Sequence, residues 1–209
     1  MDAGMSTKRP RIVVFDIGNV LLEWDPRHLY RKIFDDEERM ELFLSNVCTV
    51  DWNLEQDRGR SWAEAVAERI ALHPEWQEEI AAYDTRWLEM VPGAIAGTVA
   101  ILERLREAGV PTYAITNFSA EKFLVARERF PFLRGFEDVV VSGEVGLVKP
   151  DPEIFALFLK RNGLDSGDCL FVDDVAANIA TAQAAGFVAH QFTTPEAFAG
   201  VLRAHGFPV

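Results

Sequence analysis

The chain has 209 residues, 49% of them apolar and 26% charged, and 33 acidic against 21 basic side chains give a net charge of −12. That length and apolar content suit one domain, or one domain carrying an insert, and exclude a disordered chain. The acidic excess excludes nucleic acid and anionic membrane surfaces as main partners, and no apolar run reaches the roughly 18 residues of a membrane-spanning helix. Residues 1–10 are short, polar and mildly basic with no apolar stretch of the secretory-signal kind, and read as a frayed start. Residues 11–15 then form a β-branched run that stops at Asp16, the pattern of a buried parallel strand. Similar runs at 111–115, 139–141, 169–172 and 187–189 predict further strands.

Helical patterns lie between most of these runs. Ile95, Val99, Leu102 and Leu105 make one stripe closed by Gly109; Asp151-Pro152-Glu153 opens a helix closed by Gly163; residues 176–185 form a third before Gly186. The alternation predicts an α/β domain with a parallel sheet covered on both faces. Residues 26–91 break it. They hold no convincing strand, but show helical stripes at Trp62, Val66 and Ile70 and at Trp76, Ile80, Tyr83, Trp87 and Val91, with residues 52–59 expected as an inter-helix loop. The expected architecture is therefore a core of residues 1–25 and 92–209 with a helical insert at 26–91, after the first strand. Cys48 and Cys169 lack the number and spacing for a disulfide framework or a metal cluster, and read as buried thiols of a reducing, cytoplasmic compartment. The four histidines are scattered and read as surface or turn residues.

Ligands of an open α/β sheet bind at the carboxyl ends of its strands. There the sequence places Asp16, Thr116-Asn117, Lys149 and Asp173-Asp174. Each alone reads as a cap, a turn or a solvated loop. Together they would crowd three carboxylates, which calls for a hard cation such as Mg²⁺. The cation and a lysine would then neutralise the oxygens of a phosphoryl group under attack by a carboxylate, and a strand-end hydroxyl would hydrogen-bond one of them.

Phe15-Asp16-Ile17-Gly18-Asn19, Ala114-Ile115-Thr116-Asn117, Val148-Lys149-Pro150-Asp151 and Phe171-Val172-Asp173-Asp174 with Asn178 resemble, in order, the four motifs of the haloacid dehalogenase-like (HAD) hydrolases. The resemblance implies a Rossmann-like parallel sheet core, and the insert stands where that family carries its type-1 cap. The resemblance implies an aspartyl intermediate on Asp16, phosphoryl binding by Thr116, the Asn117 backbone and Lys149, and Mg²⁺ held by Asp16, the Gly18 carbonyl and Asp174, with Asp173 in support. The expected substrate is a small phosphate ester, a sugar phosphate among the candidates, with Arg58 or Asn53 of the insert contacting its far end. No feature sets an oligomeric state.

One position departs from the pattern. Most phosphatases of the family carry a second Asp where this chain has Gly18, so the usual proton donor is missing. Glu23 and Asp25 are candidate replacements. The Asp-x-Gly-Asn variant resembles a subgroup with bacterial sugar-phosphate phosphatases. A metal-free 2-haloacid dehalogenase using Asp16, and a non-catalytic phosphometabolite-binding protein, are the alternatives.

Overall fold

In the computed structural model, which describes residues 9–209, β1 (Ile12–Phe15), β2 (Thr112–Thr116), β3 (Val139–Val141), β4 (Cys169–Asp173) and β5 (Val188–Gln191) form one sheet. Residues 1–8 of the expected frayed start lie outside the described residues. The order is β3-β2-β1-β4-β5 and every pairing is parallel. Parallel neighbours need crossovers, which helices Ala120–Arg129, Pro152–Asn162 and Ala176–Ala184 supply. Because helices cover both faces, the central strands are apolar at nearly every position. Val13, Phe15, Leu170 and Val172 pack with Leu102 and Leu105 of helix Ala96–Glu107 and with Phe198 and Leu202 of helix Pro195–Ala204. On the other face Val14, Ile115 and Phe171 meet Phe155, Phe158 and Ile179.

Local chemistry sets the helix ends. Asp151 caps helix Pro152–Asn162 by accepting from the Glu153 N–H, and Gly163 closes it at φ 64°, a left-handed conformation that glycine adopts without Cβ strain. No described helix is long and apolar enough to cross a membrane.

Between β1 and helix Ala96–Glu107 the chain builds helices Arg27–Tyr30, Glu37–Asn46, Val50–Asp57, Trp62–Leu72 and Gln77–Thr85. The neck of this insert is closed by the Leu22–Ala94 bridge and by bonds from Glu23 N–H to the Gly93 carbonyl and Asp25 N–H to the Met90 carbonyl, both 3.0 Å. Two expectations need correction. Residues 52–59 are mostly helix: Thr49 caps Val50–Asp57 by accepting from the Trp52 N–H, and the turn comes only at Gly59, φ 106°. The polar run Asn53-Leu54-Glu55-Gln56-Asp57 concealed it, because one turn of burial, Trp52 with Gln56, is too short to register as a stripe. The stripe from Trp76 to Val91 is broken into 3₁₀ turns at Pro74–Trp76 and Trp87–Met90 around Gln77–Thr85. His190, expected at the surface, lies in β5 with its ring stacked on Phe198.

Aromatic rings fill the insert. Trp52, Trp62 and Tyr83 meet with centroids 5.2 to 5.7 Å apart. Trp62 also ties the insert to the core: its indole N–H donates to the Ser119 hydroxyl at 2.8 Å and its backbone N–H to the Glu121 carboxylate at 3.0 Å. Lys122 of the core reaches Asp84 of the insert. Trp62→Phe keeps a ring in the cluster but removes the buried indole donor, so chemical denaturation should show a loss of about 1 to 2 kcal/mol with an unchanged m-value.

Candidate active site

Asp16 and Asp173 stand side by side because β1 and β4 run in register, Phe15 opposite Val172, and each acid is the next residue on its strand. This is the point at which the strand order reverses, where open α/β sheets form their ligand crevice. The loop after β3 brings Lys149 between the two carboxylates. Its ammonium lies 2.9 Å from Asp16 Oδ1 and 2.6 Å from Asp173 Oδ2, and all three side chains are buried. The Asn117 side chain holds that loop from β2: its Oδ1 accepts the Lys149 N–H at 2.7 Å and its Nδ2 donates to the Lys149 carbonyl at 2.9 Å.

The three carboxylates are not equivalent. Asp173 accepts from Lys149, from the Val175 N–H at 2.8 Å and from Asn178 Nδ2 at 3.0 Å on both oxygens, so it acts chiefly as the seat of Lys149. Asp16 Oδ1 accepts the Ile17 N–H at 2.7 Å besides the ammonium, while its Oδ2 has no hydrogen-bond partner among the described residues. Asp174 faces the cavity near Asn19, whose side chain favours the charged form of Asp174, whose backbone is left-handed at φ 52° and whose Oδ1 accepts the Trp24 N–H at 3.0 Å.

Charge is out of balance here. Burial pushes Asp16 up to about 7; Lys149 pulls it down, and Asp173 pushes it up again. Burial and Asp173 likewise raise Asp174. Burial opposes the Lys149 charge, but Asp16 and Asp173 outweigh it and the ammonium is held above its usual range. Oxygens of Asp16, Asp173 and Asp174 all lie within 4.8 Å of one another. One ammonium against three carboxylates leaves a buried negative excess. An all-oxygen donor set of this kind suits a hard divalent cation.

Thr116 ends β2 completely buried, its hydroxyl without a partner among the described residues. Above Asp16, Gly18 and Asp174 lies a cavity of about 250 Å³ whose walls are Leu22, Trp24, Leu54, Trp87, Val91 and Phe118, with Asn53 and Asp57 among its polar groups. A wider groove of about 790 Å³ continues outward past Trp24, Asp25 and Arg27.

The insert residues expected to touch substrate divide. Asn53 lines the cavity, but its amide donates to Asp57 at 3.1 Å. Arg58 is not among the residues lining either space and pairs with Glu55 at 2.6 Å on the exposed side. Trp52 packs inside the insert. Asp57 went unnoticed in the sequence. Reading residues 50–57 as a helix would have found it, because Asn53 and Asp57 are four apart and share a face.

The model of the haloacid dehalogenase-like hydrolase family matches residues 10–186. A sesquiterpene phosphatase of Aspergillus oryzae is 27% identical over 190 residues, 88% of this chain and 90% of its own. Hexitol phosphatase A of Escherichia coli is 32% identical over 128 residues, 61% of this chain and 55% of its own. The crystal structure of a HAD family enzyme from Bacteroides thetaiotaomicron, in complex with magnesium, superposes with a TM-score of 0.74 at 20% identity, covering 94% of this chain and 100% of that one. With the four strand-end motifs gathered into one crevice and the family pattern running through nearly the whole core, the chain belongs to the haloacid dehalogenase-like hydrolases.

Proposed function

We propose that the protein is a magnesium-dependent phosphatase acting on a small phosphate ester whose leaving group is apolar. The observation that carries the reading is the buried crevice in which Asp16 presents an unpartnered oxygen beside Lys149 and Asp174, beneath a hydrophobic cavity. Asp16, the Gly18 carbonyl and Asp174 would hold the metal, with Asp173 in support through Lys149. Mg²⁺, when bound, neutralises the phosphoryl oxygens that would otherwise repel an anionic nucleophile. Asp16 Oδ2 attacks phosphorus, the bond to the ester oxygen breaks, and water later releases phosphate and regenerates the carboxylate. Lys149 and the orphan hydroxyl of Thr116 receive phosphoryl oxygens as charge grows on them. An unmade hydrogen bond on a buried hydroxyl costs about 1 to 3 kcal/mol, which a phosphoryl oxygen would recover.

Residues 26–91 serve in this reading as a cap that covers the crevice and meets the leaving group. The relatives' names point both ways, to a sesquiterpene and to a hexitol. The walls favour the first kind. Leu54, Val91 and Phe118 offer no hydrogen bonds, Trp24 and Trp87 add one indole N–H each to otherwise apolar rings, and the amides nearby are engaged, Asn19 with the Trp24 N–H and Asn53 with Asp57. A sugar would find too few partners there for all of its hydroxyls. Two buried free thiols, Cys48 and Cys169, support a reducing, cytoplasmic setting.

Turnover of p-nitrophenyl phosphate should require Mg²⁺, stop with EDTA, return on adding the metal, and vanish in Asp16→Asn. Activity surviving full chelation, or dehalogenation of a 2-haloacid, would overturn the reading. On a panel of monophosphates, kcat/KM should rise with the length of an alkyl or isoprenyl group by up to about fourfold per added methylene, while glucose and hexitol phosphates stay poor substrates.

A further inference from the structure

An alkoxide is a poor leaving group, so a phosphatase of this kind needs a proton donor at the ester oxygen and then a base for the attacking water. The core supplies none. Gly18 has no side chain, and a Cβ built there would meet no atom within 4 Å, so the space beside Asp16 is open rather than filled by packing. The two acids that follow in sequence point elsewhere. Asp25 accepts from the backbone N–H of Arg27 at 2.9 Å and its guanidinium at 3.3 Å and lines the outer groove, while Glu23 is exposed and lines neither space. Lys122 reaches the cavity, but its ammonium is held by Asp84 and lies over the Trp62 ring.

Asp57 remains. It ends helix Val50–Asp57 and lines the same cavity as Asp16, Gly18 and Asp174. One neutral donor fixes its carboxyl, Asn53 Nδ2 at 3.1 Å from Oδ2, and the backbone N–H of Ser119 is close enough to favour its charged form. No described lysine or arginine pairs with it. The titratable and charged groups around it are few. Glu55 and Arg58 on its own helix pair with each other on the outer side. Tyr83 and Asp84 come from helix Gln77–Thr85, Glu121 and Lys122 from helix Ala120–Arg129, and Asp16 and Asp174 lie on the cavity floor. The helix has no other role for this side chain: Trp52 and Gln56 bury its packing face.

We propose that Asp57 is the general acid–base of this site, delivered by the insert in place of a side chain at position 18. The inference rests on the phosphatase reading. As Asp16 Oδ2 bonds to phosphorus and the P–O bond to the leaving group breaks, the protonated carboxyl of Asp57 gives its proton to the departing oxygen, and the alcohol leaves neutral. The resulting Asp57 carboxylate then takes a proton from the water that attacks phosphorus. The P–O bond to Asp16 breaks, and phosphate leaves with both carboxyl groups restored to their starting states. Burial in the apolar wall pushes Asp57 up to about 7, so both protonation states are within reach near neutral pH. Because the Ser119 N–H favours the Asp57 carboxylate and the Ser119 hydroxyl accepts from Trp62, the surroundings of the acid are complete only while the insert rests on the core.

The test compares Asp57→Asn with the parent enzyme, both loaded with Mg²⁺, on an alkyl phosphate and on p-nitrophenyl phosphate, whose phenolate leaves without a proton. Asp57→Asn should lower kcat/KM on the alkyl ester by about 10² to 10³-fold and on p-nitrophenyl phosphate by less than about tenfold. It should also show a burst of nitrophenolate as the phosphoenzyme accumulates, and on the alkyl ester lose the basic limb of the kcat/KM pH profile, which needs the protonated acid, while the acidic limb, which needs the Asp16 carboxylate, remains. Asp57→Glu should restore part of the alkyl-ester activity, and so should Gly18→Asp in the Asp57→Asn background. Folding is checked separately. A carboxyl whose folded pKa lies above its unfolded value of 3.8 costs stability progressively as pH rises from about 4 to 7, so Asp57→Asn should raise Tm at pH 8 more than at pH 5. Equal losses on both esters, an alkyl-ester activity that survives, or an unmoved pH limb would overturn the assignment. A parent enzyme inactive on every ester with Mg²⁺ present would bring down the phosphatase reading itself, and this assignment with it.

Discussion

The ammonium of Lys149 between Asp16 and Asp173 is the contact on which the rest of the arrangement depends. It links three separate segments, the ends of β1 and β4 and the loop after β3, within 3 Å of one nitrogen. Parallel pairing of β1 with β4 sets two carboxylates side by side, which is unfavourable in a buried setting unless a cation stands between them. Lys149 meets that demand only in part, since Asp174 adds a third carboxylate next to the pair. In the proposed reading, the remaining charge is what would draw a divalent ion to the crevice, and the ion would in turn admit a phosphate. Asn117 and Asn178 serve the same constraint from neighbouring elements, one clamping the Lys149 backbone and the other fixing both oxygens of Asp173.

The second half of the site comes from a different part of the chain and obeys a different physics. The core works with charges at fixed positions. The insert contributes hydrophobic walls and, with Asp57, a carboxyl held by a neutral donor. The two halves meet at Ser119, the residue that caps helix Ala120–Arg129, accepts from the Trp62 indole and places its N–H near Asp57. Gly143 packs against the same segment so closely that a Cβ there would come within 2.5 Å of the Ala120 nitrogen, which gives the junction little freedom to shift.

Much of the core was legible in the sequence because it rests on local signals. Apolar β-branched runs ended within a residue or so of the observed strands, and the chemistry sat at their ends as open-sheet topology requires. What was hidden depended on tertiary context. Asp173 and Asp174 look alike in sequence, and only the bonds from Lys149, Val175 and Asn178 separate their roles. Asn19 read as part of a motif, but its left-handed backbone and the bond it accepts from the Trp24 N–H are features of the folded turn. Asp57 was one of 15 acids between residues 26 and 91, and in so acidic a stretch a single carboxylate reads as solvated. Arg58, the more conspicuous neighbour, turned out to face away.

The net charge of −12 bears on why an acid would sit in the insert rather than beside the nucleophile. A carboxyl at position 18 would join Asp16, Asp173 and Asp174 in one crevice and add to a repulsion that Lys149 already offsets incompletely. Placed on the apolar wall instead, Asp57 is raised by desolvation and not by those neighbours, so its protonation is set by the cavity itself. The same wall that excludes water from Asp57 is the surface offered to the leaving group. An apolar substrate filling the cavity would dry it further and keep the carboxyl protonated until the ester oxygen needs the proton, whereas a hydrated sugar would bring water to it. The choice of leaving group and the position of the acid are therefore consequences of one feature, the hydrophobic lining that residues 26–91 lay over a highly charged floor.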